Sequence, residues 1–235
     1  MQESNSSNFN HLKIHSQFSI CEGAIKIDDL KDITKDSKLK AVGLCDTSNL
    51  CGALEFAEKL SKSGSQPIIG TQINFKFNDT TGLIPLFALN ENGYKTIIKL
   101  SSLSFLKNDE LSDPHLDLNE LLNNNEGVAI FSGTINGLFG QLFNKGKFSE
   151  ISEIFSKLKS NYGDRFYIEI QRHGDQNEKE FEKFNLISSK KLDIPIIATN
   201  EVFYIDKDMH EAHDALICIK NKTYVNEKNR VRFSN

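Results

Sequence analysis

HLKIHSQFSICEGA, at residues 11–24, is the stretch that most constrains the fold prediction. It contains a short strand-like run, 11–15, followed by a polar turn, and neither a GxGxxG nor a GxxxxGKS loop follows that run. Such a loop holds phosphate in nucleotide-binding open sheets, so the main sequence argument for that architecture is missing. We therefore expect a closed or nearly closed β/α barrel, with an open doubly wound sheet as the alternative.

Short strand-like runs alternate with amphipathic stretches along the rest of the chain, which is the pattern of parallel strands joined by helical crossovers. The predicted strands are 11–15, 41–45, 67–77, 83–89, 128–132, 165–171 and 194–199. The predicted helices are 28–38, 50–63, 91–105, 117–124, 137–144, 148–162 and 177–191. Seven strands with interleaved helices indicate the α/β class and a TIM-like β/α barrel.

The composition excludes several classes of protein. With 235 residues, of which 38% are hydrophobic, the chain can bury a substantial core. Lys and Arg total 28 against 32 Asp and Glu, and the net charge of -4 argues against binding nucleic acid by charge alone. The chain has neither the roughly 18-residue apolar run of a membrane span nor a secretory signal, and its four cysteines form no CxxC pair. We expect a cytoplasmic protein with no membrane contact.

Polar side chains follow several predicted strands, at the ends where a β/α barrel carries its chemistry. His15 ends the first strand, Asp46 follows the second, His173 follows the sixth and Glu201 follows the seventh. Imidazoles and carboxylates gathered from several strand ends are the ligands of barrel metal sites. Four scattered groups are enough for one metal ion and too few for a cluster, and a hydrogen-bonded polar rim is the alternative interpretation.

Lys13 lies two residues before His15, so both side chains point to the same face of the first strand. An ammonium group at that position is unfavourable for a metal ion and favourable for an internal salt bridge. His210 and His213 have the i, i+3 spacing of a zinc pair on a helix, but we prefer a solvated helix with one packing histidine. The strand phenylalanines, among them Phe75 and Phe131, are assigned to the core rather than to base stacking.

Six collinear segments carry a resemblance to a known family. They are HLKIHSQFSICEGA (11–24), LCDTSNLCGALEF (44–56), PIIGTQ (67–72), YGDRFYIEIQRHG (162–174), IIATNEVFYID (196–206) and EAHDALICIK (211–220). Together they resemble the N-terminal PHP (polymerase and histidinol phosphatase) domain of bacterial DNA polymerase III alpha subunits. The resemblance implies a distorted seven-stranded β/α barrel, the PHP fold.

The resemblance also implies that a set of metal ligands has been partly lost. His15, Asp46 and His173 match retained ligands, and Glu201 stands where an aspartate is expected. The substituted former ligand positions are Lys13, Thr47, Gln72, Thr134 and Phe203, and one further histidine position falls near Leu83. We expect a degenerate site that binds no metal and contains no catalytic residue. We predict that Lys13 occupies the former metal position in a buried salt bridge with Asp46 or Glu201.

By the same resemblance, residues 11–220 are the PHP barrel of a DNA-directed DNA polymerase, a nucleotidyltransferase of bacterial DNA replication. The fragment is expected to be inactive and to need no cofactor, whereas the parent polymerase would use Mg²⁺. Implied partners are the rest of the alpha subunit, the proofreading exonuclease subunit and, through the parent enzyme, DNA. Residues 1–10 are expected to form a disordered tail, and 221–235 to begin the connection to the polymerase portion. The alternative is a metal-dependent phosphoesterase or 3′-5′ exonuclease with a reduced metal site.

Overall fold

The computed structural model describes residues 9–109 and 112–232. Residues 1–8 of the expected tail and 233–235 of the expected connection lie outside the described residues. The seven predicted strands and seven predicted helices are all present, with ends that differ by up to a few residues, and two short strands are added. The strands are β1 (Lys13–Ile14), β2 (Ala41–Thr47), β3 (Gln66–Phe77), β4 (Thr80–Ala88), β5 (Leu116–Asp117), β6 (Val128–Phe131), β7 (Phe166–Ile170), β8 (Ile196–Ala198) and β9 (Glu201–Val202).

The helices begin and end where local sequence signals place them. Asn90 caps α3 by accepting a hydrogen bond from the Gly93 amide, and Gly64, with a φ of 87°, ends α2 in the left-handed conformation. His210 and His213 lie on the C-terminal helix, as the sequence indicated. The helices are α1 (Ile27–Asp36), α2 (Ala53–Ser63), α3 (Glu91–Leu106), α4 (Leu118–Asn123), α5 (Leu138–Asn144), α6 (Phe148–Tyr162), α7 (Glu178–Leu192) and α8 (His210–Asn221), with 3₁₀ turns at Gly163–Arg165 and Lys207–Met209.

The strands form one sheet in the order β8-β7-β6-β4-β3-β2-β1-β9, with β5 attached to β3. The prediction that all strands are parallel is wrong for β4, which pairs antiparallel with both β3 and β6. The reason is the length of the connection, because only Asn78 and Asp79 separate β3 from β4. A parallel crossover needs a dozen or more residues, whereas two residues suffice for a hairpin.

The sheet is curled into a half-barrel, and a single short segment joins its two edges. β8 pairs with β7, and after Thr199 and Asn200 the chain continues as β9, which pairs with β1 at the opposite edge. The predicted mixed α/β class is confirmed, but the seven-stranded TIM-like barrel is corrected to a curled sheet with eight strands along its path. This arrangement brings the end of β7 and the start of β9 next to β1.

The core lies on both sides of the curled sheet. Phe75, Phe87, Phe131 and Phe166 are buried, so the assignment of these rings to core packing is confirmed. The chain at the start of β1 lies very close to β2 at Gly43, where a Cβ atom added to the glycine would lie 2.3 Å from the Leu12 carbonyl oxygen. Glycine is therefore required there for β1 to lie against β2 in its observed position.

Candidate functional site

Lys13, Glu169 and Glu201 form a buried ionic cluster at the end of the curled sheet where β1, β7 and β9 come together, which is called the barrel end below. The Lys13 side chain is 1% exposed, and its Nζ lies 2.8 Å from Glu201 Oε1 and 3.1 Å from Glu169 Oε1. The β1–β9 register makes Lys13 and Glu201 direct parallel neighbours, so both side chains lie on the same face of the sheet. The predicted Lys13–Glu201 salt bridge is confirmed. Glu169 was not among the predicted residues, because a glutamate between two isoleucines of a strand faces the opposite side from them, the usual place of a solvent-exposed side chain.

The cluster favours the ionised forms of Lys13 and Glu201. Burial by itself would lower the pKa of Lys13, but the Glu169 and Glu201 carboxylates outweigh this effect and raise that pKa above its ordinary value. Burial would likewise raise the pKa of Glu201, yet Lys13 and His15 hold it below its ordinary value. At neutral pH the cluster therefore contains an ammonium ion in direct contact with a carboxylate.

Glu169 has neutral hydrogen-bond partners as well as Lys13. Its Oε1 accepts a bond of 2.9 Å from Gln171 Nε2 and another from the Thr199 hydroxyl. Its Oε2 is buried and has no hydrogen-bond partner among the described residues. The side chains that fix Glu169 thus come from the ends of β7 and β8, next to the segment that joins the two sheet edges.

Asp46 anchors the loop that follows β1. The carboxylate is fully buried and accepts hydrogen bonds from the Ser16 amide (2.7 Å), the Ser16 hydroxyl (2.8 Å) and the Ser19 hydroxyl (2.7 Å). The alternative prediction of a Lys13–Asp46 salt bridge is wrong, because serine donors satisfy Asp46 while Lys13 pairs with glutamates. Asp46 therefore acts as a structural acceptor in this arrangement.

Two of the positions that the sequence predicts as substituted ligands are hydrogen-bonded to each other. Gln72 Nε2 donates to Thr47 Oγ1 over 3.0 Å, and Thr47 Oγ1 donates to Glu22 Oε2 over 2.6 Å. Glu22 also pairs with Lys220 on α8 through its other carboxylate oxygen. This polar chain connects β3 and β2 to α8, across the open end of the barrel.

His15 is stacked rather than hydrogen-bonded. It is fully buried, its ring lies 4.5 Å from the Phe203 ring at an interplanar angle of 15°, and His213 stacks on Phe203 at 5.6 Å. His15 Nε2 lies 3.7 Å from Glu201 Oε1, beyond hydrogen-bond distance, and neither ring nitrogen has a hydrogen-bond partner among the described residues. His213 Nε2 lies 2.7 Å from the Glu22 carbonyl oxygen, which assigns that histidine to packing of α8.

A pocket of about 380 Å³ opens beside the cluster. Its lining includes most of the sequence-predicted positions, namely Lys13, Gln72, Thr134, Glu201 and Phe203, together with Leu83. His173 lines an adjoining cleft of about 770 Å³ that shares Thr134, Glu201 and Phe203 with the pocket. Asp46 and His15 are buried near this pocket without lining it. The tertiary structure therefore gathers the predicted positions at one end of the barrel.

The residues present do not fit a metal cluster. Lys13 places a cation in contact with Glu201, the carboxylate best situated to serve as a ligand, and Asp46 is fully engaged by serine donors. Among the described residues, no group of three or more His, Cys, Asp and Glu side chains is arranged to hold a metal ion. The site can hold β1, β7 and β9 together through the ion pairs of Lys13 with Glu169 and Glu201.

Comparison with known proteins identifies the family to which this chain is similar. The family model for the PHP domain matches residues 11–173. The chain is 34% identical over 99% of its length to the DNA polymerase III subunit alpha of Caulobacter vibrioides and 38% identical over 90% to that of Rickettsia felis. It covers only 21% and 18% of those two proteins, so it spans about a fifth of their length.

Solved structures show a similar fold at low sequence identity. A Bifidobacterium adolescentis protein assigned as a metal-dependent phosphoesterase has a TM-score of 0.55 at 11% identity, covering 88% of this chain and 96% of that one. An amidohydrolase from Chromobacterium violaceum also has a TM-score of 0.55, at 10% identity, covering 83% of this chain and 87% of that one. Among the described residues, no helix is long and apolar enough to cross a membrane.

Proposed function

Because this chain belongs to the PHP domain family, we propose that it is the N-terminal PHP domain of a replicative DNA polymerase III alpha subunit, acting as an inactive scaffold that docks the proofreading exonuclease subunit. In this proposal the PHP barrel is residues 11–220 of a cytoplasmic protein. Polymerisation, the Mg²⁺ that supports it and the main DNA contacts belong to the remainder of the parent subunit. The similarity to alpha subunits over 90–99% of this chain supports the assignment.

The observation that carries the scaffold role is the Lys13 cluster. The ammonium group is buried and in contact with carboxylates from β7 and β9. A metal ion in that family's site would activate water and neutralise a phosphate, and both tasks require an open coordination position. An ammonium group has no coordination position at which to activate water, and the charge of Lys13 is already paired with Glu169 and Glu201. These ion pairs link strands β1, β7 and β9. The cluster therefore supports a structural role for the barrel end.

Metal analysis of the purified protein, combined with phosphatase and single-strand exonuclease assays in Mn²⁺ or Zn²⁺, tests the scaffold role. We expect less than one bound metal ion per chain and no turnover above a no-enzyme control. Stoichiometric metal together with turnover that is lost in His15→Ala, Asp46→Ala and His173→Ala would overturn the proposal. Co-elution with the exonuclease subunit of the same organism tests the docking role, and failure to co-elute would remove its support.

A metal-dependent phosphoesterase or 3′-5′ exonuclease with a reduced site is the second candidate. It is favoured by the unpartnered ring nitrogens of His15 and the buried, unpartnered Nε2 of His173, since imidazole nitrogens are common metal ligands. This candidate requires the side chains to rearrange on binding an ion, because no three His, Cys, Asp or Glu side chains of the described residues are arranged to hold one. The metal analysis separates the candidates, because only this one requires a bound ion that the histidine variants lose.

A further inference from the structure

The outward face of α7 has an unusual concentration of lysine. Lys179, Lys183, Lys190 and Lys191 are exposed, while Phe181 and other residues on the opposite face are buried. At 3.6 residues per turn, Lys179, Lys183 and Lys190 project within about 40° of one another. They form a stripe along almost the whole helix, on a chain whose net charge is -4.

These lysines have no acidic partner within the part of the chain that the structure describes. None of the four takes part in an ion pair between described residues, in contrast to the neighbouring α6, where Lys157 pairs with Glu153. Helix stability accounts for only part of the stripe. Lys190 lies in the last turn, where the helix dipole favours basic side chains. Lys179, however, lies in the first turn, where the dipole favours acidic side chains, and Lys179 and Lys183 are like charges at i, i+4.

Two exposed aliphatic side chains border the stripe. Leu186 is 42% exposed and Ile187 is 68% exposed, and at 3.6 residues per turn they project about 20° beyond one side of the stripe and about 40° beyond the other. Apolar side chains next to cations are the composition of a protein docking surface with a charged rim. A nucleic-acid surface would instead favour arginines and stacking aromatic rings. The arginine that reaches α7, Arg172, is already paired with Glu182 through two hydrogen bonds.

We propose that the α7 face formed by Lys179, Lys183, Leu186, Ile187 and Lys190 docks an acidic protein segment whose carboxylates flank exposed apolar side chains. This inference rests on the proposed docking role and deepens it, since the partner in that role is the exonuclease subunit. The lysines steer and orient the partner, and burial of Leu186 and Ile187 contributes the apolar part of the binding energy.

The test is titration of the purified chain with the exonuclease subunit of the same organism at low and high salt. We expect Lys179→Glu/Lys183→Glu/Lys190→Glu to weaken binding by about 10-fold or more at low salt, because three favourable charge pairs become repulsive. Leu186→Ser/Ile187→Ser should weaken binding at both salt concentrations. The control is Lys35→Glu/Lys40→Glu/Lys62→Glu, which reverses three exposed lysines outside α7 and should bind like wild type. Circular dichroism confirms that each variant is folded.

The outcomes distinguish the two proposals. If the α7 variants bind the exonuclease subunit as tightly as wild type does, the proposed α7 docking surface is wrong, while the docking role itself is still supported. No binding by wild type would overturn both. A single-stranded oligonucleotide is titrated in parallel, and loss of oligonucleotide binding in the lysine variant with unchanged exonuclease binding would overturn the protein partner in favour of nucleic acid.

Discussion

Replacement of Lys13 by methionine is the most direct perturbation of the barrel end. Methionine retains an unbranched side chain of similar length, so the change removes the charge and leaves little cavity. Glu169, which is fully buried, and Glu201, which is 21% exposed, then both lose the ammonium group that they contact in the structure. The variant thus isolates the electrostatic contribution of the cluster.

The structure allows the size of the effect to be worked out. Lys13 is 1% exposed and the Glu169 side chain is 0% exposed, so solvent screens their interaction weakly. Removing one partner of such a buried pair costs about 3–5 kcal/mol. For a chain of this size each kcal/mol lowers Tm by about 2–4 °C, which gives an expected decrease of about 6–20 °C.

Urea and thermal unfolding at pH 7, followed by circular dichroism, measure this loss. Lys95→Met is the matched control, because Lys95 is 67% exposed and, among the described residues, forms an ion pair only with the exposed Glu91. We expect no measurable change in stability for this variant. The triple variant Lys13→Met/Glu169→Gln/Glu201→Gln should recover at least about 2 kcal/mol, since it removes the uncompensated charges as well. A loss below about 1 kcal/mol in Lys13→Met, or no recovery in the triple variant, would refute the reasoning.

Three further perturbations probe the same end of the molecule. Because the pKa of Glu201 is lowered in the folded state, its ion pair stabilises the protein at pH values above the ordinary pKa of 4.5, and this stabilisation is lost as the pH falls toward the folded-state pKa. Urea titrations should therefore show the difference in free energy of unfolding between wild type and Lys13→Met becoming smaller below about pH 5. Asp46→Ala leaves three donors without an acceptor and should lower the free energy of unfolding by about 3 kcal/mol, and Asp46→Asn by less, in the same assay. Arg230→Ala removes the two-fold salt bridge to Asp214 (2.6 Å between Nη2 and Oδ2) that holds residues 222–232 against α8. Limited proteolysis should therefore cleave this segment faster in Arg230→Ala than in wild type, and Arg172→Ala is the control.

Local signals in the chain were sufficient for most of the elements. Apolar runs and helical periodicity predicted strand β2, strand β7 and helix α6 within a residue or two of their observed ends, because each is long enough to show its period. The antiparallel β4 could have been inferred as well, since the gap before it is too short for a crossover. The two-residue strands β5 and β9 could not be predicted, because so short a segment is extended only through its neighbours. The equally short β1 was predicted as part of the longer strand-like run 11–15.

The candidate site was also predictable only in part from the sequence. The two-residue period of the first strand placed Lys13 beside His15 on one face, and their positions near Glu201 followed from the order of strand ends. Their actual partners depended on the curl of the sheet. Glu169 meets Lys13 only because β9 closes against β1 while β8 stays against β7, and His15 stacks on Phe203 for the same reason.

The α/β class, the set of long elements and a buried cation next to His15 were thus predictable from the chain alone, since they depend on periodicity and on residue type at neighbouring positions. The pairing of this cation with two glutamates, and the hydrogen bonds from Ser16 and Ser19 to Asp46, became known from the folded structure. The contacts of Lys13 and Asp46 join residues far apart in the chain, and their energies exist only once the sheet has curled and closed off water.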